Sequence, residues 1–124
     1  MKRLLITGSR HWTDRQIIVR ELERIRSAWG EGVVLVHGNN GNKECTKGAD
    51  RIAMSVAESM GWQTDPFHAK WGELGKGAGP KRNQEMVDAG ADFCIAFPMG
   101  DSVGTWDCTK RASKAGIIVR VVGG

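Results

Sequence analysis

KRLLITGSRHWTDRQIIVRELERIRSAWG, residues 2 to 30, carries one complete unit of the fold. Lys2 to Thr7 is a short apolar run closed by Gly8-Ser9 and reads as a buried strand. From Asp14 to Trp29 the apolar residues Ile17, Ile18, Leu22, Ile25 and Trp29 recur at helical spacing. Thr13 or Asp14 is placed to cap that helix and Gly30 to end it. Strand, loop and helix in this order is the unit from which parallel α/β sheets are built.

Outward from this unit the alternation continues. Val33 to His37 is a second apolar run, followed by the Gly- and Asn-rich loop GNNGNKECTKG at 38 to 48. Asp50 to Met60 places Ile52, Ala53, Val56, Ala57 and Met60 on one helical face, closed by Gly61. Trp62 to Phe67 supplies a third strand, in which Pro66 marks the end of pairing or a sheet edge. Residues 69 to 83 read as one irregular glycine-rich segment, with Pro80 suited to the first turn of a helix running through Asp88. Asp92 to Phe97, Thr105 to Ala115 and Ile117 to Val122 complete the chain as strand, helix and strand. Five strands separated by helical patterns predict an α/β three-layer sandwich with a mostly parallel five-stranded sheet, and 124 residues fit one domain.

Composition narrows the function. Apolar residues make up 40% and charged residues 26%, and no apolar run approaches the ~20 residues of a membrane span. The apolar stretch after the basic start is only Leu4, Leu5 and Ile6, too short for a signal peptide, so a cytoplasmic protein is expected. Cys45, Cys94 and Cys108 form no C-x-x-C pair and read as reduced thiols, with Cys45 an exposed, inert one. His11, His37 and His68 share no metal-ligand spacing; neither a metal nor a cofactor is expected. The net charge of +4 suits an anionic ligand, although the basic residues fall in short scattered pairs such as Lys2/Arg3, Lys81/Arg82 and Lys110/Arg111.

In open parallel sheets the ligand crevice lies beyond the carboxyl ends of the strands, where four unusual loops fall: TGSRHWTD (7 to 14), HGNNGNKECTKGAD (37 to 50), HAKWGELGKGAGPKRN (68 to 83) and FPMGDSVGT (97 to 105). Gly8, Ser9 and Arg10 can receive a phosphate or a ribose, yet TGSRHWTD matches neither G-x-G-x-x-G nor a P-loop. His37 and Gly38 end the second strand, where the imidazole either contacts a base or sugar or is held by backbone hydrogen bonds. Asp50 reads as a helix cap or loop organiser. Trp71 either stacks on a base or seals the core, and Arg82 and Asn83 open the helix beneath it, Arg82 with the fork geometry that pairs with phosphate. Pro98, Gly100, Gly104 and Thr105 form the phosphate-loop candidate, with Gly104 exposing amides at a helix entrance and Thr105 supplying a hydroxyl and a cap. Asp101 is placed outward or on a ribose hydroxyl.

Taken together, RNQEM (82 to 86), AD (91 to 92), IAFP (95 to 98) and Gly104-Thr105 resemble the Rossmann-like SLOG superfamily, which includes the lonely-guy nucleotide phosphoribohydrolases. The order TGSR with a following aromatic, His-Gly, GAD, W…GK…AGP-x-RN and FP…GT is similar to its small YspA-like branch across nearly the whole chain. The resemblance implies a nucleotide or nucleotide-derived ligand and a homodimer. In the phosphoribohydrolases an arginine in R-x-x-E-M and a glutamate after PGGxGTxxE support cleavage of the base-ribose bond. Arg82 matches that arginine, followed by Glu85 and Met86, whereas Cys108 stands at the glutamate's place and Asp107 is the adjacent acid. The NNGNKECTK stretch, 39 to 47, is longer than that branch usually shows.

Three functions follow as expectations. The first is a nucleotide-binding domain acting as a sensor or sequestering protein. The second is a hydrolase of an N-glycosidic bond, with Asp107 or Glu85 as the catalytic acid or nucleophile. The third, ranked last, is a nucleic-acid module using the positive charge and Trp12, Trp71 and Trp106.

Overall fold

The computed structural model describes residues 2 to 38 and 48 to 123. Five strands, β1 (Arg3–Gly8), β2 (Val34–His37), β3 (Gln63–Pro66), β4 (Phe93–Phe97) and β5 (Val119–Val121), form one sheet in the order β3-β2-β1-β4-β5, with every neighbouring pair parallel. The helices are α1 (Arg15–Trp29), α2 (Ala49–Ser59), α3 (Trp71–Leu74), α4 (Ala78–Ala89) and α5 (Val103–Lys114). This is the expected three-layer α/β fold. Pro66 ends β3, an edge strand, where its missing N–H costs no inner ladder bond.

Alternation along β1 divides the core between two faces. Leu4 and Ile6 point towards α1 and α2 and pack with Ile18, Leu22, Ile52 and Val56, while Leu5 points the other way, to Met86 and Val87 of α4 and Cys108 and Ala112 of α5. All three β1 side chains are fully buried, each contributing about 1.5–3 kcal/mol by leaving water. Asp14 caps α1 as expected, its carboxylate accepting from the Ile17 amide at 3.3 Å, and Gly30 ends it at φ 78°. At the far end of the sheet, Arg120 of β5 donates to the buried Glu21 of α1 at 2.7 Å.

Three local expectations are corrected. Residues 71 to 89 are helical rather than irregular: α3 runs through a 3-10 turn at Gly75–Gly77 into α4. Each glycine costs such a segment only about 1 kcal/mol, a penalty that tertiary context can override, and Ala78 and Gly79 are buried at the start of α4. Asp50 is not the cap of α2; Gly48 takes that position at φ 103°, and Asp50 lies in the first turn. Likewise α5 begins before Thr105. Ser102, in the left-handed region at φ 33°, precedes it, and its carbonyl accepts from the Thr105 and Trp106 amides at 3.0 and 3.2 Å.

Candidate functional site

Between β1 and β4 the sheet order reverses, and this topological switch point is where open α/β sheets leave a crevice. Gly8 and Phe97 face each other at the last paired register there. A β-carbon on Gly8 would collide with the Ala49 side chain and approach the Phe97 carbonyl to 2.9 Å, so the close passage of β1, β4 and α2 requires glycine.

Ser9 then knots the loop to its neighbours. Its amide donates to Phe97 O at 2.9 Å, its carbonyl accepts from Ala49 at the start of α2 at 2.9 Å, and its Oγ accepts from the His11 amide at 3.0 Å. Arg10 is left exposed above this knot. On the opposite wall Arg82, almost fully buried, sends Nη1 to the Gly38 carbonyl at 2.6 Å and Nε to Asn83 Oδ1 at 3.0 Å. Asn83 Nδ2 donates to the Gly104 carbonyl at 3.1 Å and to Asp107 Oδ2 at 3.0 Å, and Arg111 Nε meets the same oxygen at 2.9 Å. Ser102 and Thr105 share a hydroxyl hydrogen bond of 2.7 Å, which pins the first turn of α5. The amides of Val103 and Gly104 head that helix, where the backbone has no intrahelical acceptor for them.

These walls enclose a cavity of about 590 Å³, of the size that takes small molecules. It brings together Gly8, Ser9, Arg10, Gly38, Arg82, Asn83, Gly104, Thr105 and Asp107. Four other candidates are not among its lining. His37 is fully buried, Pro98 is buried behind the loop, Gly100 at φ 58° turns it, and Glu85 is exposed on α4. The helical period explains Glu85: at about 100° per residue the buried stripe of α4 is made by Arg82, Asn83, Met86 and Val87, and Glu85 falls outside it. The Trp71 side chain, Cys45 and the 39 to 47 stretch lie outside what is described. Lys76, Met99, Ser102 and Val103 also line the cavity. Of these, Ser102 was legible as the hydroxyl residue just before a helical run, the ordinary N-cap position. Asp101 is exposed and stands at the cavity lining.

Electrostatics separate the titratable groups. Burial opposes ionisation of Asp107, but hydrogen bonds from Arg111 and Asn83 and the charges of Arg111 and Lys110 outweigh it, holding the carboxyl below its ordinary range. Asp107 is therefore a carboxylate at neutral pH. Burial drives His37 down to about 4, with Arg51, His68 and Arg82 acting in the same direction against Asp65, so its imidazole is neutral. Burial pushes the Cys108 thiol up to about 11 and raises Cys94 as well, leaving both as packing residues. Trp12 is likewise a core residue, edge-on to Phe97 at 5.3 Å with its Nε1 bonded to the Asp14 carbonyl, and has no face free for a nucleic-acid base.

The model of the YspA, cpYpsA-related SLOG family matches residues 2–73. The chain belongs to this family. It is also 48% identical over 126 residues to the Gene 61 protein of Mycobacterium phage D29, covering 96% of this chain and 94% of that protein. A universal stress protein from Archaeoglobus fulgidus shares the fold, with a TM-score of 0.55 at 16% identity over 99% of this chain and 94% of that one. SLOG membership makes this a Rossmann-like, nucleotide-related domain. The matched residues carry the Gly8-Ser9-Arg10 turn, Gly38 and Asp50 but end before Arg82 and Asp107, whose place in the cavity rests on the fold. Among the described residues no helix is long and apolar enough to cross a membrane, and no cluster of His, Cys, Asp or Glu could hold a metal ion.

Proposed function

We propose that this SLOG-family domain binds a nucleotide or nucleotide-derived ligand in the cavity at the carboxyl ends of β1 and β4, acting as a sensor or sequestering protein. One observation carries the reading: the cavity lies at the switch point of the sheet and gathers the first-turn amides of α5, the Gly8-Ser9-Arg10 turn and the cations Arg10 and Lys76. Free amides at a helix N-terminus favour anions, and exposed Arg and Lys add charge-assisted bonds to phosphate. The test is mass spectrometry of the purified chain incubated with nucleotides, cyclic nucleotides and ADP-ribose derivatives, recording retained ligand and converted product. Retention of none of them rejects the reading.

A hydrolase reading has one observation in its favour, the presence of Asp107 in the same cavity. Its lowered pKa suits a nucleophile, or a carboxylate that stabilises oxocarbenium-like charge, and not a general acid. Release of free base by the wild type, abolished in Asp107→Asn with ligand retention kept, would select it. Retention without conversion selects the binding domain.

A further inference from the structure

Between α4 and α5 runs a chain of hydrogen bonds with Asn83 at its centre. A carboxamide has one acceptor oxygen and two N–H donors. The oxygen of Asn83 accepts from Arg82 Nε at 3.0 Å, and its nitrogen donates to Gly104 O at 3.1 Å and Asp107 Oδ2 at 3.0 Å. Both donors are thus committed to α5. Asn83 itself is 2% exposed; its bond from Arg82 is buried, and its two bonds to α5 are part-buried at the cavity edge. Asn83 lines the cavity, but a ligand could take its donors only by breaking the link between the two helices.

Asp107 completes the geometry. Both of its donors, Asn83 Nδ2 and Arg111 Nε, converge on Oδ2, and among the described residues Oδ1 receives none. Arg111 makes a second bridge back to α4 through Gln84 Oε1 at 2.9 Å, but from a more exposed position, with 33% of its side chain accessible. We infer that Asn83 is a positioning residue: it turns Asp107 so that Oδ2 faces the protein and Oδ1 is the oxygen offered to a ligand, and it holds the first turn of α5 in place at the cavity. The ligand part of this inference rests on the binding reading above; the orientation of Asp107 does not.

Asn83→Asp keeps the size of the side chain and an acceptor for Arg82, but sets a second carboxylate against Asp107. Carboxyl-carbon NMR titration of the labelled full chain reads Asp107 directly. Two carboxylates sharing a site cannot both ionise easily, so the pair should titrate in two steps with the upper midpoint raised by about one pH unit or more. Asn83→Leu, which removes the donor without adding charge, should raise the midpoint less, and it serves if the first variant does not fold. Arg111→Met, at a more exposed site, calibrates the response. An Asp107 midpoint that stays at its wild-type value in a folded Asn83 variant overturns the inference.

AMP is the probe for the ligand part, titrated calorimetrically at neutral pH in a double-mutant cycle with Asp107→Ala. Asn83→Leu should weaken AMP about tenfold, the equivalent of 1.4 kcal/mol, in the chain that keeps Asp107, and clearly less in the Asp107→Ala chain. An equal loss in both backgrounds shows Asn83 acting apart from Asp107 and overturns the positioning role. If AMP does not bind the wild type, the binding reading loses its support from this probe and the NMR titration alone decides the inference.

Discussion

Arg82 Nη1 donates to the Gly38 carbonyl at 2.6 Å, closing the gap between the end of β2 and the start of α4, and a β-carbon on Gly38 would lie 2.5 Å from that nitrogen. The arginine matched to a catalytic position by sequence motif is therefore also a wall of the cavity. Arg82→Ala leaves a buried carbonyl and the Asn83 oxygen without their donors, and should lower unfolding stability by about 2 kcal/mol as well as weaken ligand retention. Arg82→Lys should not restore it, since an ammonium lacks the planar fork that serves both acceptors. Urea unfolding of the two variants checks this; wild-type stability in Arg82→Ala would show that the Gly38 bond contributes nothing.

Gly8 and Gly104 both line the cavity but should respond oppositely to alanine. At Gly8 the added carbon meets Ala49 and the Phe97 carbonyl, and overpacking of this kind costs about 1–3 kcal/mol. At Gly104, near the start of α5, nothing lies within 4 Å, so Gly104→Ala should gain about 0.4–1 kcal/mol from reduced unfolded-chain freedom. The same methyl projects beside the α5 amides and should weaken nucleotide retention. Thermal melts paired with the retention assay separate the two effects, and a Gly104→Ala chain that is more stable yet binds undiminished would move the ligand away from α5.

Acid should destabilise the fold through His37. Its folded pKa is depressed to about 4 from 6.5, chiefly by burial. Below 6.5 the unfolded chain takes up a proton that the folded chain refuses until about pH 4, so stability falls as pH drops through that window. The full effect is about 3 kcal/mol, an upper figure since each pKa unit is worth 1.36 kcal/mol. His37→Gln should lose less stability than wild type between neutral pH and about pH 4.5. Asp107 adds a separate loss at lower pH, because its depressed pKa stabilises the fold only above the ordinary carboxylate range. Parallel acid-dependence curves for wild type and His37→Gln would remove His37 from the account.

Cys94 and Cys108 should resist alkylation in the native chain, since both are buried and their thiols are pushed well above neutral pH. Peptide mapping after iodoacetamide treatment, with and without urea, would show them labelled only on unfolding. Rapid native labelling of Cys108 would contradict the closed core beneath Asp107.

Much of the fold was legible because its signals are local. The apolar runs at 4 to 6, 33 to 36 and 94 to 97, the helical spacing of Ile18, Leu22 and Ile25, and the Asp14 cap each depend on residues within a turn or two of one another. The family pattern across TGSR, GAD and RN likewise fell on loops whose residues, Gly8, Ser9, Arg10, Asp50, Arg82 and Asn83 among them, line one cavity. Local signals misled where packing overrode them. Glycines at 72 to 79 read as loop although the segment is helical and buries Ala78 and Gly79, and Glu85, read as a candidate acid, stands on the exposed face of α4.

The sequence by itself determined the alternation of strands and helices, the parallel sheet and the loops that come to line the cavity. Only the tertiary structure decided that Arg82 holds Gly38, that Asn83 holds Asp107 and that His37 is sealed from the cavity. The reason is that these bonds join residues 44 and 24 positions apart, and their donors choose partners by distance and burial, neither of which exists until the helices are packed on the sheet.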